Sequence, residues 1–121
     1  MVENSAIPGM VTVEPTVLET IARLTTLEVP GVVGVVERDM DRLLGVPGKS
    51  VAVQVRDKRV VVDLHILAGP DRSLLQLGRK VQYEVTRAIQ QMIGMPVEAV
   101  NVHIEDVVYS ESSEWAEAES E

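Results

Sequence analysis

The chain contains no cysteine and no phenylalanine, and its only aromatic residues are Tyr83, Tyr109 and Trp115. Without cysteine there can be no disulfide, thiolate nucleophile or cysteine-ligated metal. The scarcity of aromatic rings removes the stacking platforms on which single-stranded nucleic acids are usually held, and the core must be built from Val, Leu, Ile, Ala and Met. No apolar run approaches the roughly 20 residues needed to span a bilayer. The opening MVENSAIPGM lacks the basic segment followed by an apolar one that marks a secretory leader. A cytoplasmic location is therefore expected. Basic residues are also outnumbered, 11 against 19 acids for a net charge of -8, which opposes general adhesion to nucleic acid or anionic lipid.

What is present suits one globular domain. The 121 residues are 45% hydrophobic and 25% charged, enough for a single aliphatic core. Residues 1–8 are polar and read as a flexible N-terminus, residues 9–109 as one α/β domain, and residues 110–121 as a disordered acidic tail. That tail holds Glu111, Glu114, Glu117, Glu119 and Glu121 with no base, so much of the negative charge sits outside the domain. Its apolar content is too low to fold alone.

Hydrophobic periodicity divides the domain into elements. Met10–Val13 reads as a short strand. Pro15 opens a helix on which Val17, Leu18, Ile21, Ala22 and Leu24 recur at helical spacing, and Pro30-Gly31 ends it. Val32–Val36 is a candidate for a further short strand. Residues 37–49 lack alternation and read as an exposed loop, with one helical turn at Met40–Leu44. Val51, Val53 and Val55 alternate with Ala52, Gln54 and Arg56, Asp57-Lys58 forms a tight turn, and Val60, Val62, Leu64 and Ile66 alternate in return. Asp71 is placed to cap a second helix carrying Leu74, Leu77, Val81, Val85, Ala88, Ile89 and Met92 on one stripe. Gly94-Met95-Pro96 stops it, and Val100, Val102 and Ile104 define a last strand. The expected order is β-α-β-β-α-β, an α+β two-layer sandwich with two helices on one face of a mixed sheet, for which a ferredoxin-like arrangement is the simplest choice.

Few residues suggest chemistry. Gly48-Lys49-Ser50 is not a phosphate loop, because the required glycine is replaced by Leu43 and the segment leads into a strand. His65 and His103 lie on the polar faces of their strands, near Asp63 and Glu105. A metal site there would need those strands side by side, which a ferredoxin-like order does not provide, so both are read as solvent-facing. No nucleophile with a positioned base is visible, and no catalytic residue, cofactor site or metal site is assigned. The second helix does carry Arg72, Arg79, Lys80 and Arg87 as a basic stripe beside Tyr83. Such a stripe suits an acidic protein segment, for which the tail of a neighbouring copy is one candidate; it also suits a phosphate backbone or anionic headgroups, against the plainer account of a solvated face. In the tail, Trp115 among acids is a candidate anchor for a pocket on a partner or on this domain.

The ordered set Ile21-Ala22, Glu28-Val29-Pro30-Gly31-Val32, Val60-Val61-Val62-Asp63-Leu64, Val81-Gln82, Ala88-Ile89, Met92-x-Gly94, Val97 and Val100-Asn101-Val102 resembles the alkaline shock protein family of bacterial cell-envelope stress response proteins, over about Gly9–Val108. The resemblance implies a bacterial, non-enzymatic, cytoplasmic protein that self-associates into a homo-oligomer and, in some members, gathers beneath the membrane through a membrane-anchored partner. It implies no small-molecule substrate and no catalytic residues. A regulatory adaptor for a cytoplasmic enzyme of lipid metabolism is the alternative, and nucleic-acid binding through the second helix ranks behind both. The sequence departs from the family at Ala68-Gly69-Pro70-Asp71, where members often place an aromatic-Gly turn.

Overall fold

A computed structural model describes residues 8–36, 50–70 and 72–109. Helix α1 (Pro15–Glu28) is followed by strands β1 (Val32–Val35), β2 (Val51–Arg56) and β3 (Arg59–Ala68), helix α2 (Leu74–Ile93) and strand β4 (Val97–Val107). The two-layer α+β class with two helices and a mixed sheet is as expected. The order of elements differs at the start: Met10–Val13 forms no strand, and Met10 and Val11 are 88% and 94% exposed. The place beside β3 that a ferredoxin-like order reserves for a first strand is taken by β4, so Met10–Val13 gains no ladder there to offset the entropy of ordering it.

Strand β3 is the axis of the sheet. Along one edge it pairs antiparallel with β2, from Val51 opposite Leu64 to Arg56 opposite Arg59, and with β1, where Val35 faces Ile66. These two strands share that edge end to end. The Val36 amide donates to the His65 carbonyl at 2.9 Å, and the His65 amide donates to the Ser50 carbonyl at 2.8 Å. Residues 37–49 thus leave and rejoin one strand line. On its other edge β3 pairs parallel with β4 from Val60 opposite Val97 to Ala68 opposite Val107. Parallel neighbours require a crossover, and α2 supplies it.

Local chemistry explains the boundaries. Asp57 and Lys58 both adopt positive φ, 50° and 64°, the backbone of a two-residue hairpin whose twist matches its strands. Helix α2 is capped by Ser73, whose hydroxyl accepts from the Gln76 amide at 3.2 Å; Asp71, the expected cap, lies outside the described residues. At its other end Gly94 is left-handed, φ 82°, and its amide donates to the Gln90 carbonyl at 3.0 Å, a close that glycine makes at low cost.

The core lies between the helices and one face of the sheet. Val60, Val62, Leu64, Ile66 and Ala68 of β3 meet Leu18, Ile21 and Ala22 of α1, Leu77, Val81, Val85 and Ile89 of α2, and Val100 of β4, all buried. Buried Thr26 is satisfied locally, its hydroxyl donating to the Ala22 carbonyl at 2.7 Å. Met92 is 68% exposed and stands outside the stripe expected of it. Gly78 sits inside α2 with nothing within 4 Å of the position a Cβ would take. Gly78→Ala should therefore stabilise the protein by about 1 kcal/mol, read as an increase in Tm.

Candidate functional site

Among the described residues the helices cover one face of the sheet. Because side chains alternate along a strand, the odd-numbered residues Asp63 and His65 of β3 point to the other face, beside their register partners Asn101 and His103 of β4. The sequence reading is corrected here: a ferredoxin-like order would separate these strands, whereas β3 and β4 are direct neighbours. The imidazoles stack, with centroids 4.5 Å apart and planes 10° from parallel. His65 Nδ1 lies 2.6 Å from Glu105 Oε2. Asp63 Oδ1 accepts from Asn101 Nδ2 at 3.0 Å and lies 4.0 Å from His103 Nε2. Among the described residues no group of three or more His, Cys, Asp or Glu side chains is arranged to hold a metal ion. The five side chains form a polar cluster on an open surface, where they can give and take hydrogen bonds with a docking partner. Identical parity on two strands was its signal in the sequence; adjacency was not legible there.

A second feature lies where α2 stops short of the outer edge of β4. Leu74, Leu75, Gly78, Arg79 and Gln82 form one wall of a groove of about 320 Å³, and Val102, Ile104, Asp106 and Val107 form the other. Most of the lining is apolar, and Leu75 is 69% exposed. The missing Gly78 side chain helps open it. Gln82 ties the walls together, its amide donating to the Val100 carbonyl at 3.0 Å, and the Asp106 carboxylate accepts from the Val107 amide at 2.8 Å. A leucine just off the core stripe of an amphipathic helix was the signal for this groove.

The basic residues of α2 serve different neighbours. Arg72 precedes the helix and donates to the Pro30 carbonyl at 3.0 Å, its side chain lying over Gly31. Lys80 pairs with Glu84 at 3.1 Å, on the side facing the end of α1. Arg79 borders the groove and donates to Gln82 Oε1 at 3.0 Å. Arg87 is exposed, as is Tyr83 at 60%. The stripe is thus one sector of helix surface in which Arg72 holds a turn and Arg79 faces the groove. Trp115 and the rest of 110–121 lie outside the described residues. No helix among those residues is long and apolar enough to cross a membrane.

Fold and surfaces together define a small two-layer α+β domain that presents an open polar sheet face and a separate apolar groove. The chain belongs to the alkaline shock protein family, described as having a cell envelope-related function, whose pattern matches residues 3–109. It is similar to the uncharacterized protein Spy1535 of Streptococcus pyogenes serotype M6, 28% identical over 103 residues that cover 83% of this chain and 80% of that one. It is also similar to the uncharacterized protein YqhY of Bacillus subtilis, 25% identical over 121 residues covering 93% and 87%. Among solved structures, MamM-CTD 215-293 matches with a TM-score of 0.50 and 17% identity, over 77% of this chain and 99% of that one. That likeness concerns the fold.

Proposed function

We propose that the chain is a non-enzymatic assembly protein of the bacterial cell envelope, acting through self-association and protein-protein contact on the cytoplasmic side of the membrane. The observation that carries this reading is the half-covered sheet. Strand β4, 11 residues long, has β3 as its sole strand partner among the described residues. An edge of that length is a template for pairing with another chain. Beside it the exposed cluster of Asp63, His65, Asn101, His103 and Glu105 offers hydrogen-bonding groups without enclosing a substrate, and membership of a family with a cell envelope-related function gives such contacts a cellular setting. Attachment to the membrane falls, in this reading, to an anchored partner protein.

Sedimentation equilibrium over a wide concentration range tests the assembly step. The expected result is a mass that rises above that of the monomer as concentration increases. A single monomeric mass at the highest concentration would overturn self-association. Asn101→Lys with His103→Lys, on the exposed face, should reduce the association constant at least tenfold without lowering Tm, because like charges then face each other across the contact.

A further inference from the structure

The groove between α2 and β4 is a largely apolar surface at the very point where the described chain leaves the sheet. Val107 is both the last residue of β4 and part of the lining, and Tyr109 follows two residues later. Residues 110–121 then supply five glutamates, no base and the only tryptophan of the chain. We propose that this groove is the seat of the chain's own C-terminal segment, with Trp115 set between α2 and β4 and the glutamates beside Arg79.

Three observations converge on this occupant. The first is reach. Val102 to Val107 spans about 16 Å of strand, and six residues from Tyr109 to Trp115 extend up to about 20 Å. Trp115 can therefore lie anywhere along the groove after the chain reverses. The second is charge. Residues 72–93 hold Arg72, Arg79, Lys80 and Arg87 against Glu84 alone, and no carboxylate among the described residues pairs with Arg79, whose hydrogen bond goes to Gln82. Asp106 is the one acid in the lining, and its carboxylate accepts from the Val107 amide. The groove also flanks the N-terminal half of α2, where the helix dipole favours acidic groups. The third is shape and chemistry. A leucine-, valine- and isoleucine-lined groove without an aromatic side chain of its own accommodates an indole, and covalent tethering gives the segment a high effective concentration over any free competitor.

The sole tryptophan makes the test direct, using the full chain. Dilute protein should show a blue-shifted indole emission, weakly quenched by acrylamide and unchanged by further dilution. Gly78→Leu, which fills the groove where a Cβ meets nothing within 4 Å, should shift the emission to that of a solvated indole and raise the quenching constant several-fold, with the circular dichroism spectrum and Tm retained. Arg79→Glu, at an exposed position, should do the same in part, and high salt should reproduce that part. A solvated emission from the unaltered chain, or a buried one indifferent to both substitutions, would overturn the proposal. So would a blue shift that vanishes on dilution, which would place a second copy's segment in the groove. Failure of self-association is separable, because it is read from mass: a monomer that buries Trp115 sinks the assembly reading and leaves this one standing.

Discussion

Leu64→Ala should cost about 2–5 kcal/mol of folding stability, a large share of the 5–15 kcal/mol that a domain of this kind commands. Leu64 is fully buried at the middle of β3, with Val51 of β2 on one side and Val102 of β4 on the other. It belongs to the cluster shared with both helices. Removing its branched end takes apolar atoms out of contact with all these elements at once. The central strand is held by ladders on both edges, so it cannot shift to refill the space. Urea unfolding should show a lower midpoint with an unchanged slope. Leu24→Ala is the control: this leucine of α1 is 54% exposed, and a change within about 0.5 kcal/mol is expected. Equal losses at the two positions would contradict the placement of the core on β3.

Gly31→Ala should destabilise by about 1–3 kcal/mol for a reason unrelated to hydrophobic burial. Gly31 has φ 105°, and a Cβ there would lie 2.6 Å from Cδ of Arg72. Arg72 would have to move, loosening its bond to the Pro30 carbonyl. The adjoining contact from the Gly69 amide to the Gly31 carbonyl, 2.8 Å, fastens the start of β1 to the end of β3. The backbone strain and the side-chain clash can be separated. Adding Arg72→Ala to Gly31→Ala relieves the clash and leaves the cost of the positive φ, so the double variant should recover only part of the loss. Full recovery would mean that the backbone at Gly31 carries no strain.

The same turn shows what was legible beforehand. Pro30-Gly31 could be read as the end of α1 because proline ends a helix and glycine permits the reversal. The role of Arg72 could not, since it joins residues 42 positions apart. Asp71 was the expected cap of α2, yet Ser73 caps it; both residue types suit the position, so the sequence alone left the choice open. Leu75 and Gly78 gave little notice of a groove, because a groove belongs to two elements. His65 and His103 were recognised as exposed strand residues and separated by an assumed strand order.

By itself the sequence determined the local elements, from both helices to the hairpin around Asp57-Lys58, the aliphatic core and the concentration of acid after Ser110. Those properties depend on neighbours within a few residues: helical or alternating period, turn formers, and side chains that cannot stay in water without cost. Tertiary structure alone decided which strand lies beside β3. That choice is a competition among distant segments for one ladder, settled by the total apolar surface buried beneath α2, and Val97–Val107 outcompetes the short Met10–Val13. From that one decision follow the stacked histidines, an outer edge of β4 with no strand partner among the described residues, and the groove beside it.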